Sequence, residues 1–323
     1  MLEAALQRAW RQRGPLALAL LPVTAIFGLL GALRRRLYGA GLLRTERAPV
    51  PVIVVGNVVA GGAGKTPVVM ALVEHLQAAG IACGVISRGY GRQTRDCREV
   101  TPDSPALDVG DEPLLVATRC RVPVFVARTR IEAARALLAR HPGVQVLVSD
   151  DGLQHLALAR DLEICVFDRR GIGNGLLLPS GPLREPCPPP PDLVPRPKGR
   201  GVDDFPLHRR LAAEAVRPDG TRRPLDAFCA EPLVALAGIA QPDAFFDMLR
   251  HAGVHPERTL ALPDHAPLDP EALSLPPGAT VLCTEKDAVK LWRTHPQAWA
   301  VPLALEIDPA FWQAFDRLLH AKL

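Results

Sequence analysis

Residues 52–67 read Val-Ile-Val-Val-Gly-Asn-Val-Val-Ala-Gly-Gly-Ala-Gly-Lys-Thr-Pro, and this stretch decides the fold. An apolar strand runs into a glycine-rich turn, and Val68 to Leu76 then continues as an apolar helical run. Such a turn holds a phosphate: glycines let backbone N–H groups converge on an anion, the helix start adds its positive dipole end, and lysine adds a mobile charge. Val59, Ala60, Gly61, Gly62, Ala63, Gly64, Lys65 and Thr66 form the expected cradle, with the Thr66 hydroxyl placed for Mg²⁺. The spacing is unusual. A strict G-x-x-x-x-G-K-[ST] motif needs glycine at 59, where this chain carries valine.

Outward from the loop, apolar strands alternate with helical stretches. Strands are expected at 52–56, 82–87, 123–126, 144–149 and 162–167, and helices at 65–79, 111–118 and 130–140. A second series follows: strands 233–237, 258–262, 279–284 and 301–306, with helices 242–252, 269–274, 285–293 and 309–321. This pattern predicts an α/β chain with a P-loop NTPase-like, doubly wound, mostly parallel sheet and a second, smaller α/β lobe. Ligands gather at the carboxyl ends of such strands, so the phosphate loop, Ser87–Gly91 and Asp150–Gly152 are expected to meet there. The expected organisation is an N-terminal membrane-associated helical segment at 1–45, a P-loop nucleotide-binding and catalytic domain at 46–185, a Pro/Arg-rich linker at 186–230, and a C-terminal lobe at 231–323 closing a cleft.

Length and composition agree: 323 residues suit about two domains at ~150 residues each, and 48% hydrophobic content can fill both cores. A net charge of +4 with scattered arginines disfavours nucleic acid as a partner. The seven cysteines show neither a C-x-x-C pair nor zinc spacing, which points to a reducing compartment and no structural metal. Nothing in the sequence calls for an obligatory protein partner.

The N-terminus is the exception to an ordinary globular composition. Gly14 to Leu33 carries no charge, Arg8, Arg11 and Arg13 precede it, and Arg34, Arg35 and Arg36 follow. The run is long enough to span a bilayer with the rest of the chain in the cytoplasm, or it lies in the membrane interface kinked at Pro22, or it is a buried core helix.

Two acidic pairs could do chemistry. Asp150 and Asp151 end the run Val144–Val148, where a cation would relieve their repulsion; an exposed acidic turn is the plain alternative. Gln154 and His155 follow, the histidine contacting phosphate or capping the loop. Asp111 and Glu112 follow Gly110 where a helix begins. Spacing leaves Asp111 either as an N-cap or as a base that accepts a proton in phosphoryl transfer.

These segments together resemble the tetraacyldisaccharide 4'-kinase family, which acts on a lipid A precursor. The resemblance rests on the loop at 56–67, Ser87–Arg92, Gly110–Pro113, Asp150–His155, Leu178–Glu185 and Thr284–Lys290 occurring in order. It implies ATP and Mg²⁺, transfer of the γ-phosphate to the 4'-hydroxyl of tetraacyldisaccharide 1-phosphate, and work at the cytoplasmic face of the inner membrane. It also implies roles: Asp111 as base with His265 in support; Lys65, Thr66, Asp150 and Asp151 for phosphate and cation; and Arg130, Gln154, His155, Arg184 and Glu185 near the site. The chain departs from the family at Asp192–Pro197, where proline leaves an expected strand missing or reduced to an edge. The competing reading is a membrane-associated switch ATPase of the partitioning type, but those carry lysine where Ala60 stands.

Overall fold

The computed structural model describes residues 6, 8–62, 64–186, 192–196, 205–229, 231–266, 268, 273, 275 and 278–323. In chain order the first elements are α1 (Pro15–Ala19), α2 (Leu21–Gly39), β1 (Val52–Gly56), α3 (Lys65–Ala78), β2 (Cys83–Ser87), β3 (Arg98–Val100), α4 (Ala106–Val109) and α5 (Asp111–Cys120). Next come β4 (Val124–Val126), α6 (Arg130–Arg140), β5 (Val146–Asp150), β6 (Leu162–Cys165), β7 (Pro195–Arg196), β8 (Phe205–Leu211), β9 (Glu214–Val216) and β10 (Arg222–Pro224). The chain ends with β11 (Leu233–Ala237), α7 (Pro242–His251), β12 (Arg258–Ala261), β13 (Thr280–Thr284), α8 (Glu285–Leu291), β14 (Trp299–Val301), β15 (Leu303–Ile307) and α9 (Pro309–His320).

The chain divides into two compact units that do not follow sequence order. The first holds residues 1–87, 129–208 and 307–323, and the second holds 88–128 and 209–306. This differs from the organisation expected above, which kept 46–185 together and gave the C-terminus to the second lobe. The last helix belongs to the first unit, where Trp312 stacks on His75 at 4.3 Å and Asp316 meets the same imidazole at 2.7 Å.

In the first unit β1 lies between β5 and β6, and β5 lies between β1 and β2, all parallel. Every residue of β1, β2 and β5 is buried. That explains their unbroken apolar runs, since a parallel strand covered on both faces has no polar side. Val55 pairs with Asp150, which puts the phosphate loop and the acidic strand end side by side.

The N-terminal apolar run is two helices, because Pro22 sits at the start of α2 just after the break at Leu20. Among the described residues no helix is long and apolar enough to cross a membrane. Nor is the run a core helix. Ile26, Leu29 and Leu30 are 60%, 70% and 60% exposed, while the opposite side is pinned by Thr24 Oγ1 to Ser180 Oγ at 2.7 Å and Trp10 Nε1 to the Pro179 carbonyl at 3.0 Å.

Proline does reduce the strand at 192–197. Leu193 bridges Ile164, its carbonyl accepts from Cys165 N at 3.0 Å, and among the described residues of this segment only the two of β7 pair with β8. The linker expected at 186–230 is corrected in its second half: β8, β9, β10 and a 3-10 turn at Leu225–Phe228 occupy 205–228. Arginines hid the period there, because Leu207 is buried while His208 and Arg210, on the opposite face of the strand, are exposed. The rest of that linker, 187–191 and 197–204, lies outside the described residues, as does all but Leu273 of the helix expected at 269–274.

The second unit carries a sheet in the order β10-β9-β14-β13-β11-β12, parallel from β14 to β12 with β9 and β10 antiparallel at the edge. Alternation assigns its two faces. Leu233, Ala235, Ala237 and Leu282 pack with Phe245, Phe246 and Leu249 of α7, whereas Leu236, Val281 and Cys283 pack with Ala288 and Leu291 of α8.

Candidate functional site

Two sets of side chains carry chemistry, one in each unit. In the first, the loop after β1 is built from its glycines. Gly61 and Gly64 have φ of 91° and 73°, a region that favours glycine, and Gly64 is the N-cap of α3. Asn57 braces the loop from below, its Nδ2 donating to the Val59 carbonyl at 2.6 Å, and Lys65 Nζ donates to Asn57 Oδ1 at 3.4 Å.

Val59 and Ala60, expected in the cradle, are engaged with the segment at 182–184. Val59 forms a bridge with Leu183, Ala60 N donates to the Pro182 carbonyl at 2.7 Å, and Arg184 N donates to the Val58 carbonyl at 2.7 Å. Ala63 lies outside the described residues.

Of the segments expected around the loop, the Asp150–Asp151 strand end stands beside it. Thr66 Oγ1 donates to Asp150 Oδ2 at 3.5 Å, and Lys65 Nζ stands 3.3 Å from Asp151 Oδ1. A hydroxyl and a carboxylate this close form an all-oxygen donor pair that suits Mg²⁺, which takes one or two protein carboxylates and completes its shell with water and phosphate. Partial burial raises the Asp151 carboxyl, but the charges of Lys65 and Arg184 outweigh it and hold it below its ordinary range. Asp151 has φ of 53°, so the turn presents its side chain from a left-handed backbone.

Arg130 is 4% exposed and donates to the backbone carbonyls of Asp150 and Asp151. Its guanidinium therefore braces the acidic turn. Gln154 Nε2 donates to Glu185 Oε1 at 2.6 Å and to the Asn57 carbonyl at 3.0 Å, while Arg184 Nη1 lies 3.4 Å from Asp151 Oδ1. His155 closes its turn through its own N–H to the Gly152 carbonyl at 2.9 Å. Two arginines of α2 also reach this network: Arg34 Nη1 donates to the Gln154 carbonyl at 3.0 Å, and Arg35 stands 3.9 Å from Glu185.

The second unit holds Asp111. Gly110, with φ of 93°, takes the N-cap position, so the Asp111 carboxylate does not cap α5. Its Oδ2 instead meets His265 Nδ1 at 3.2 Å and Lys290 Nζ at 2.9 Å. Lys286 Nζ donates to Glu112 Oε1 and Asp264 Oδ1, both at 2.8 Å, and lies 3.2 Å from His265 Nε2. The Gly89–Gly91 turn belongs to this set, since Tyr90 tilts over the His265 ring at 5.2 Å and a Cβ on Gly89 would run into the Val109 carbonyl.

Burial alone would raise the Asp111 carboxyl. Hydrogen bonds from His265 and Lys290, with the charge of Lys286, outweigh it and keep Asp111 ionised below its usual range. The same bond from Asp111 raises His265 above the usual imidazole value, against burial and Lys286 and with help from Glu112 and Asp264. A buried carboxylate on an imidazole can accept a proton from a hydroxyl, and the first set can hold a nucleotide's phosphates.

Comparison with known proteins agrees with this chemistry. Residues 16–320 match the family model of Tetraacyldisaccharide-1-P 4'-kinase. The chain belongs to this family. It is similar to the tetraacyldisaccharide 4'-kinase of Acidovorax sp. (strain JS42), 60% identical over 319 residues that cover 97% of this chain and 94% of the relative. The enzyme of that name from Delftia acidovorans (strain DSM 14801 / SPH-1) is 53% identical over 320 residues, covering 98% and 95%. Among solved structures, LpxK from Aquifex aeolicus, an "apo" form in complex with ATP, superposes with a TM-score of 0.80 at 26% identity over 94% of this chain and 99% of that one.

The tetraacyldisaccharide 4'-kinase match spans both sets of side chains and replaces the partitioning-ATPase reading. The fold is that of a P-loop kinase. Sequence reasoning did not single out Asn57, Lys286 or Lys290. All three were legible only as members of the motifs at 56–67 and 284–290.

Proposed function

We propose that this chain transfers the γ-phosphate of ATP to the 4'-hydroxyl of tetraacyldisaccharide 1-phosphate, giving the 1,4'-bisphosphate. In a chain of this family, the pairing of the buried Asp111 carboxylate with His265 carries the reading, because a switch ATPase has no alcohol to deprotonate. Asp111 accepts the proton as the hydroxyl O–H bond breaks. The freed oxygen lone pair forms the new bond to phosphorus, and the bond from phosphorus to the β–γ bridging oxygen breaks as ADP leaves with its electrons. Lys65 and Arg184 offset negative charge on the transferring group and beside it. Magnesium, when bound, would be held by Thr66, Asp150 and Asp151 and would neutralise charge on the phosphate oxygens. His265 keeps the Asp111 carboxylate oriented.

The acceptor carries four acyl chains, so the enzyme works at a membrane surface. The exposed apolar side of α1 and α2, with Leu18, Val23, Ile26, Leu29 and Leu33, supports insertion into the interface rather than across it. The flanking arginines favour anionic headgroups, and we place the enzyme on the cytoplasmic face of the inner membrane.

The test is Asp111→Asn, assayed with labelled ATP and the disaccharide lipid. Transfer should fall by about 10²–10⁴-fold with ATP binding retained. Unchanged transfer would remove Asp111 from the chemistry.

A further inference from the structure

The segment Thr284-Glu285-Lys286-Asp287-Ala288-Val289-Lys290 is given no task by the mechanism above, yet its two lysines end on the base. Thr284 starts α8 as its N-cap, accepting from Asp287 N at 3.3 Å and donating to Asp287 Oδ2 at 2.6 Å. Lys286 and Lys290 stand four residues apart and so leave α8 on one face. Arg119 Nη1 to Glu285 Oε2 at 2.7 Å ties α8 to α5, the helix that begins with Asp111. The lysine side chains are only 15% and 11% exposed. Buried ammonium groups are costly unless paired, and three carboxylates, Asp111, Glu112 and Asp264, surround these two.

We propose that Lys290 and Lys286 are positioning residues for proton transfer: Lys290 fixes which oxygen of Asp111 meets the acceptor hydroxyl, and Lys286 fixes which nitrogen of His265 bears the proton. This rests on the reading of Asp111 as base. Lys290 Nζ and His265 Nδ1 both meet Oδ2, so the carboxylate cannot rotate without losing two charge-assisted bonds to that one oxygen. Oδ1 is therefore the oxygen that takes the proton. Lys286 donates towards Nε2, so in the neutral imidazole the proton sits on Nδ1 and points at Asp111. Glu112 and Asp264 lie 3.4 and 3.8 Å from the same Nε2 and would draw a proton there; Lys286 neutralises both. The groups facing the pair are thus Glu112 from α5, Asp264 from the loop after β12, Lys286 and Lys290 from α8, and Tyr90 from the Gly89–Gly91 turn.

The experiment uses the full chain with Mg·ATP and the disaccharide lipid in mixed micelles, comparing Lys290→Met, Lys290→Arg, Lys286→Met and Asp111→Asn. Lys290→Met should lower kcat about 10–100-fold, leave KM for ATP unchanged, and move the acid limb of kcat/KM up by about one pH unit or more, since an adjacent ammonium depresses a carboxyl by about 1–3 units. Lys290→Arg should restore most of the rate and return the limb. Lys286→Met should raise the His265 titration midpoint seen by imidazole NMR. A loss equal at every pH, no rescue by arginine, or an unmoved imidazole midpoint would overturn the inference and leave the base reading standing. Full transfer by Asp111→Asn would instead remove the base reading itself.

Discussion

The imidazole of His265 meets the carboxylate of Asp111 at 3.2 Å across 154 residues of sequence. Each partner shifts the other: His265 titrates above its ordinary value and Asp111 below. A histidine raised on folding contributes stability in full below its unfolded value of about 6.5, and that contribution is lost as pH rises through the folded value. A depressed aspartate contributes above its unfolded value of about 3.9 and loses that as pH falls through its folded value. The urea midpoint of the wild type should therefore exceed that of His265→Gln near pH 6, with the difference shrinking towards pH 9. A difference that grows with pH would contradict the pairing.

Lys65→Met should weaken ATP binding about 10–100-fold, the worth of a charged hydrogen bond near 1.5–3 kcal/mol. Thr66→Ala should weaken Mg·ATP more than ATP alone, because its hydroxyl stands beside Asp150. Calorimetric titration with and without magnesium separates the two.

Gly110→Ala tests the turn that frees Asp111 from capping. A Cβ there would lie 3.0 Å from Gly89 Cα and from the Tyr90 carbonyl, on a backbone with φ of 93°. The substitution should cost about 1–3 kcal/mol in unfolding free energy and lower kcat along with it. Full stability with full activity would show that the turn tolerates a side chain.

How much of this was legible in sequence depends on distance along the chain. The phosphate loop is local, so strand, glycines, Lys65 and Thr66 could be read in one window. Asp111 could not be resolved, because an N-cap and a base look alike until Gly110 is seen to take the cap. Lys286 was invisible as a site residue because Glu112, its partner, is 174 positions away. The strand expected at 301–306 is two strands, 299–301 and 303–307, separated by Pro302, which has no N–H to donate. Arg130 could be placed near the site by resemblance, but sequence does not show that its guanidinium is buried under the Asp150–Asp151 carbonyls.

Leu29→Asp with Leu30→Asp should reduce co-sedimentation with anionic vesicles at least tenfold, because burial of a leucine side chain is worth about 1.5–3 kcal/mol. Both side chains are exposed, so the thermal midpoint should barely move. Unchanged vesicle binding would contradict an interfacial role for α2.

The most direct test of the kinase assignment counts both products of one reaction. Purified chain, Mg·ATP and tetraacyldisaccharide 1-phosphate are incubated, and ADP is measured beside lipid bisphosphate by mass spectrometry, with phosphorus NMR locating the new group. The account predicts one lipid bisphosphate for each ADP, phosphorylated at the 4' position, and neither product in quantity when the lipid is left out. ADP formed steadily without phosphorylated lipid would contradict it.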